Sequence, residues 1–61
     1  MNIEEERLLV AEMMTRYGGS FCKALGETLY RADDNNMRRI KQAFPEYWKQ
    51  YLEMGLQTKD D

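Results

Sequence analysis

Apolar side chains recur along the chain with the spacing of amphipathic helices. When successive residues are turned by about 100° each, the first set falls within one arc: Ile3, Leu9, Val10, Met13, Met14 and Tyr17. Asn2 is the expected N-cap of this segment, and three glutamates follow at the positive end of the helix dipole. The pattern predicts a first helix that faces a core, with Leu8 pointing outward.

A second helix is predicted after the Gly-Gly-Ser turn. Gly18 stands where helices end on a left-handed glycine, and Ser20 is the expected N-cap of the next helix. The buried stripe predicted for this helix is Phe21, Cys22, Leu25, Leu29 and Ala32. Gly26 and Tyr30 lie off the stripe, which predicts a close backbone approach at the glycine and an outward ring at the tyrosine.

Aspartate and asparagine at positions 33–36 interrupt the periodicity, because their short side chains cap helices and form turns. A third helix is predicted from about Asn35 to Ala43. Its apolar edge consists of Met37, Ile40 and Phe44. Pro45 is tolerated at the first position of a helix but not within one, which predicts either a fourth helix or a kinked extension of the third.

The segment 45–54 carries an unusually broad apolar face. Its apolar side chains cover close to half of the helix circumference, more than the usual stripe of somewhat over 100°: Tyr47, Trp48, Tyr51, Leu52 and Met54. Gly55 is the expected stop, and residues 56–61 are expected to form a polar, flexible tail behind one helical domain, residues 1–55. The predicted fold class is all-α, with three or four short helices in hairpins.

Size and composition point to self-association. A chain of 61 residues buries only about 60% of the surface that its unfolded form exposes, and such domains recruit disulfides, a metal ion or another copy of themselves. One cysteine and no histidine exclude an intrachain disulfide and a structural zinc site. A homo-oligomer, with a dimer as first choice, is therefore predicted to cover the broad face of the fourth helix.

The same composition bears on chemistry and location. Without histidine there is no conventional triad or imidazole base, so we predict a protein that is not an enzyme and needs no cofactor. Cys22 is assigned to the core. The start of the chain lacks the basic and apolar regions of a signal peptide, and no apolar run approaches the roughly 20 residues of a membrane span. A cytoplasmic location is expected.

Charge is unevenly distributed along the chain. Glutamates crowd the start, whereas cations crowd the middle and the latter part: Arg31, Arg38, Arg39, Lys41 and Lys49. This asymmetry favours packing between copies or a local anionic ligand. The net charge of −2 argues against DNA as the partner. A helix-turn-helix regulator that reads DNA with the third helix, and a purely structural subunit, are the alternative functions.

The Gly-Gly-Ser turn has two interpretations. The N-terminus of a helix presents backbone N–H groups that can hold a phosphate or carboxylate. The anion or nucleotide site predicted on that basis consists of Gly19, Ser20 and Lys23, with Arg16 or Arg39 assisting and Tyr17 stacking on a base. The stretch matches neither the P-loop nor the dinucleotide fingerprint, and a turn with two helix caps explains it more simply.

The most specific stretch is Ala-Phe-Pro-Glu-Tyr-Trp at positions 43–48. With the Ala-Asp-x-x-Asn turn at 32–36 and the Phe-x-x-Ala-Leu segment at 21–25, it resembles small uncharacterised proteins of bacteriophages and prophages. The resemblance implies a viral or mobile-element origin and binding to a host component, and it assigns no residue a role.

Together these observations predict a small, non-enzymatic, phage-type binding protein in the host cytoplasm. It would antagonise a host defence system by engaging one of its proteins or by sequestering its nucleotide signal. The interface predicted for a protein partner is Tyr30, Tyr47, Trp48, Tyr51 and Leu52.

Overall fold

The computed structural model describes residues 1–59, and these form four α-helices without a β-strand. They are α1 (Ile3–Tyr17), α2 (Ser20–Arg31), α3 (Asp34–Ala43) and α4 (Pro45–Lys59). The predicted all-α fold class is confirmed. None of the helices in the described range is both long and apolar enough to cross a membrane.

The central element of the fold is α1, because both α2 and α4 pack against it, whereas α3 contacts mainly α4. The core of the described residues is formed by Val10, Ala11, Met13, Met14, Cys22, Leu29, Met37, Trp48 and Tyr51. The arc predicted for the first helix is confirmed at its centre, and Leu8 is exposed as expected. Tyr17, the last residue of α1, was predicted to belong to this arc but is 56% exposed.

Side-chain caps begin two of the helices. The Asn2 side chain accepts a hydrogen bond of 2.8 Å from the Glu5 amide, and the Glu5 carboxylate accepts one from the Asn2 amide. Asp33 caps α3 in the same manner through the Asn36 amide. The predicted cap at Asn2 is confirmed, and α3 begins one residue before the predicted Asn35 because Asp33 is the capping residue.

The turn between α1 and α2 differs from the prediction. Gly18 has a φ of −78°, which is extended rather than left-handed, and Gly19 precedes α2 as its N-cap. Ser20 is therefore the first helical residue and not the cap. Glycine is required at position 18 for space, because a Cβ there would lie 2.5 Å from the Cβ of Cys22 and 2.6 Å from the carbonyl oxygen of Met14.

The contact between α1 and α2 is closest at Gly26. A Cβ at this position would lie 2.9 Å from side-chain atoms of Met14 and Thr15 and 3.0 Å from the Ala11 carbonyl oxygen. The predicted close approach is confirmed. Gly26 was predicted to lie off the buried stripe of α2, but it is buried and belongs to that stripe. The stripe is rotated toward Gly26, which leaves Phe21, predicted to be buried, 56% exposed.

Arg7 fastens α1 to the end of α2. Its guanidinium donates hydrogen bonds to the carbonyl oxygens of Leu29, at 2.9 Å, and Ala32, at 3.2 Å, and its other terminal nitrogen pairs with Glu4. The last carbonyls of a helix lack intrahelical partners and carry partial negative charge. Arg7 therefore satisfies the C-terminus of α2 in place of a glycine cap.

A single non-helical residue, Phe44, joins α3 to α4, which makes them separate helices. The residue before a proline is disfavoured in the helical conformation, and Phe44 accordingly has φ −129° and ψ 60°. Pro45 occupies the first position of α4, as predicted.

The predicted stop at Gly55 is wrong, because α4 continues to Lys59. Gly55 is buried within the helix, where a Cβ would lie 2.5 Å from Cγ of Leu9. Packing against α1 thus outweighs the low helix propensity of glycine. Of the predicted tail, residues 56–59 are helical, and Asp60 and Asp61 lie outside the described residues.

The chain covers much of the broad face of α4 by itself. Trp48 is 3% exposed and Tyr51 is 6% exposed, Leu52 and Met54 are half-buried, and Tyr47 remains largely exposed. The sequence argument for a dimer assumed that a second copy must cover this face. Since α1 covers its centre, the homo-oligomer stays a prediction that rests on the remaining exposed apolar side chains.

Replacing Gly26 by alanine tests the close contact between α1 and α2. We expect a net loss of about 1 to 2 kcal/mol, because the added methyl group forces α1 to shift and this outweighs the gain in helix propensity. The measurement is urea unfolding followed by circular dichroism.

Gly19→Ala is the matched control, since nothing lies within 4 Å of a Cβ at that position. It should cost less than about 1 kcal/mol, the range expected for a change at an N-cap. Equal stability of Gly26→Ala and the unmodified protein would contradict the close approach.

Candidate functional site

The anion site predicted at the Gly-Gly-Ser turn is only partly assembled. Gly19, Ser20 and Lys23 are exposed at the N-terminus of α2, and no side chain caps that helix end. Arg16 is instead 3.6 Å from the Glu12 carboxylate and lines an open groove between α1 and α4. Within residues 1–59, no ion pair or side-chain hydrogen bond links Tyr17 or Arg39 to the turn.

The predicted protein interface is divided by the fold. Tyr30 and Tyr47 are exposed and Leu52 is half-buried, but Trp48 and Tyr51 lie in the core of the same chain. The two buried rings are 3% and 6% exposed, too little to anchor a protein partner in this arrangement. Of the predicted interface, Tyr30 and Tyr47 are thus the two side chains that the fold leaves exposed.

A different aromatic surface is formed where α2 begins and α3 meets α4. Its three rings, which we call the aromatic patch, are Phe21, Phe44 and Tyr47. Their centroids are 5.8 to 6.1 Å apart, within the range of favourable aromatic pairs. Phe21 is 56% exposed and Tyr47 is 38% exposed. The patch therefore presents a preformed aromatic surface to solvent.

A hollow of about 400 Å³ borders the aromatic patch and is lined by Phe44, Pro45 and Tyr47, with polar side chains around them. The non-helical geometry of Phe44 sets the angle between α3 and α4 and thereby shapes this hollow. Sequence analysis missed the patch, because it placed Phe21 in the core and Phe44 on the inner edge of α3. The Phe-Pro junction was the available signal, since it places Phe44 at the only residue between two helices.

A second concave surface lies between α3 and α4, and we call it the basic groove. Its volume is about 600 Å³, and it is lined by Glu6, Arg38, Lys41, Gln42, Pro45, Trp48, Lys49 and Leu52. Three of these side chains are cationic and one is anionic, on a chain whose net charge is −2. The groove therefore concentrates positive charge around an apolar floor.

Glu6 fixes one wall of the basic groove. Its Oε1 accepts hydrogen bonds from Nε1 of Trp48 at 2.6 Å and from Nζ of Lys41 at 3.0 Å. The Lys41 ammonium also lies 5.4 Å from the centroid of the Trp48 ring, within cation–π distance. The only tryptophan of the chain is thus held by a carboxylate from α1 and a cation from α3.

The pKa of Glu6 reflects two opposing effects. Burial by itself raises it, but the hydrogen bonds from Lys41 and Trp48 and the charge of Lys41 together lower the pKa of Glu6 below 4.5. A carboxyl group with a lowered pKa in the folded state adds stability above its unfolded pKa. That stability is lost as the pH falls through the folded value.

Cys22 and Tyr51 form a second buried polar contact. A hydrogen bond with Cys22, together with burial, raises the pKa of Tyr51 above 10.0. The Cys22 thiol is buried, which agrees with its assignment to the core. Burial keeps this thiol from solvent, so the pair contributes to the packing between α2 and α4.

Comparison of the chain with protein-family models, with curated proteins and with solved structures finds no match. Function must therefore be inferred from the surfaces of this chain.

The Glu6 network can be tested with Glu6→Gln, which keeps the shape of the side chain and removes its charge. We expect a loss of about 1 to 2 kcal/mol at neutral pH, because two bonds to a charged acceptor become weaker or are lost. Urea unfolding monitored by Trp48 fluorescence measures the change. The difference from the unmodified protein should shrink as the pH falls through the lowered pKa of Glu6 in the folded state, because the natural carboxylate is then itself protonated.

Glu27→Gln serves as the control, since Glu27 is an exposed carboxylate on α2. Its stability should follow that of the unmodified protein at every pH. A constant difference between Glu6→Gln and the unmodified protein from neutral to acid pH would contradict the charge network.

Proposed function

We propose that this chain is a non-enzymatic binding protein that docks on a partner protein through its aromatic patch. The observation that carries the proposal is the cluster of Phe21, Phe44 and Tyr47, three rings in mutual contact with two of them substantially exposed. Aromatic side chains dominate binding energy at protein interfaces, because they bury a large area with little loss of side-chain entropy.

The shape of the patch supports a protein partner. Phe44 and Tyr47 border a hollow of about 400 Å³ that can receive a side chain from the opposite surface. Paired rings and pockets of this kind are typical of the central anchors of an interface. The Phe-Pro junction sets the position of Phe44 beside Tyr47 of α4, and Phe21 of α2 packs against both rings. The patch is therefore organised before binding, which lowers the entropic cost of association.

A protein target is favoured over a nucleotide target. Arg16, one of the cations expected at the anion site, is paired with Glu12 and lines a different groove. The remaining candidates at the α2 N-terminus are exposed, and they line neither the hollow beside the aromatic patch nor either of the two grooves described above. The DNA-binding alternative is disfavoured by the net charge of −2.

The resemblance to phage proteins suggests the class of partner, a protein of the host. A phage-type protein that docks on a host protein without chemistry of its own would act by occlusion, and a host defence component is the target we propose. A homodimer in the host cytoplasm is compatible with this function, since the patch can be used by each copy.

The decisive variant is the double substitution Phe21→Ser and Tyr47→Ser, which removes the exposed rings and retains Phe44 at the helix junction. Tagged protein is expressed in a bacterial host and its co-purifying proteins are quantified. We expect the double variant to lose a partner that the unmodified protein retains, by at least about tenfold, because the loss of aromatic anchors costs more than 1.4 kcal/mol. Circular dichroism verifies folding.

Tyr30→Ser is the control, because Tyr30 is an equally exposed tyrosine outside the patch. It should retain the partner. Loss of the partner with Tyr30→Ser alone would assign the interface to the surface predicted from sequence and contradict the proposal. A nucleotide that raises the melting temperature of the unmodified protein, but not that of Lys23→Ala, would replace it with the sequestering function.

A further inference from the structure

We propose that the basic groove between α3 and α4 binds an amphipathic organic anion, a short alkyl or similar apolar body that ends in a carboxylate or phosphate. This site is separate from the aromatic patch, and it stands whether or not the patch binds a protein. Two features define the ligand: the apolar floor of the groove and the cations around it.

The floor of the groove suits an apolar body. It is formed along one face of α4 by Pro45, Trp48 and Leu52, which recur at helical spacing. Leu52 follows Pro45 by seven positions, which corresponds to about 10 Å along the helix at 1.5 Å per residue. A volume of about 600 Å³ lies within the range of roughly 300 to 1,000 Å³ typical of small-molecule pockets.

The cations of the groove suit an anionic end group. The Lys41 ammonium donates a hydrogen bond of 3.0 Å to the Glu6 carboxylate, which holds Lys41 at the wall of the groove. Arg38 and Lys49 are exposed, and within residues 1–59 neither forms an ion pair or a side-chain hydrogen bond. Because Arg38 comes from α3 and Lys49 from α4, a carboxylate or phosphate in the groove is approached by a cation from each wall.

Two other ligand classes fit less well. Nucleic acid would meet a chain whose net charge is −2. A cation or metal ion would be repelled by the three positive side chains, against which Glu6 is the only carboxylate lining the groove. An anion with an apolar body can contact the apolar floor and pair with the cations at the same time.

Trp48 is the only tryptophan and lies at the floor, so its fluorescence reports directly on the groove. The experiment titrates the full chain with octanoate and with octyl phosphate, below the concentrations at which these compounds aggregate. We expect a saturable change in Trp48 emission with one or both probes. Which head group binds more tightly decides between a carboxylate and a phosphate ligand.

The test variant is the double substitution Arg38→Gln and Lys49→Gln. Removal of both free cations should weaken binding by roughly tenfold or more, since charge-assisted contacts are among the stronger polar interactions. The matched control is Arg31→Gln with Arg39→Gln, which makes the same change in net charge outside the groove lining and should bind as tightly as the unmodified protein. Both side chains of the test pair are exposed, and circular dichroism verifies that each variant is folded.

Several results would overturn the proposal. Absence of a saturable change with both probes would exclude the site. Equal binding of octylammonium would show that only the apolar surface matters, and equal binding of inorganic phosphate would show that the apolar floor contributes nothing. An equal loss in the control variant would attribute binding to net charge. Self-association that depends on Arg38 and Lys49 and excludes the probes would assign the groove to a second copy of the chain.

Discussion

The structure depends on the packing of α1 between α2 and α4. Two glycines make this packing possible. The absence of a side chain at Gly26 lets α1 approach the backbone of α2, and the absence of one at Gly55 leaves space on α4 for the Leu9 side chain. Consecutive polar residues then fasten the helix on two sides: Arg7 binds the C-terminus of α2, and Glu6 binds Lys41 and Trp48. A helix buried in this way supplies four of the nine buried side chains of the core, more than any other helix.

This packing determines which aromatic side chains remain at the surface. Trp48 and Tyr51 turn into the core, where the Trp48 N–H meets Glu6 of α1 and the Tyr51 hydroxyl meets Cys22 of α2. The rings left outside are those at the start of α2 and at the junction of α3 and α4, and they gather into the aromatic patch. The helix that contributes least to the core, α3, thus borders both proposed binding surfaces.

The same arrangement explains how an acidic chain carries a positive groove. Several of its carboxylates are engaged elsewhere: Glu5 and Asp33 cap helices, and Glu4 and Glu12 pair with arginines on α1. Only Glu6 reaches the groove, where it binds one of three cations. Local charge is therefore opposite in sign to net charge, a distribution that composition alone does not reveal.

The amino-acid sequence by itself determined the helical class, the cap at Asn2, the start of α4 at Pro45 and the close approach at Gly26, because these depend on neighbours in the chain or on the intrinsic preferences of single residues. Only the tertiary structure decided that Gly55 lies inside a helix, that Phe21 is exposed and that Trp48 is buried. Helical periodicity defines a broad apolar face but not which part of it a neighbouring helix covers. Rotation of each helix about its axis is set by contacts such as Gly26 with α1 and Glu6 with Trp48, which join residues far apart in the chain.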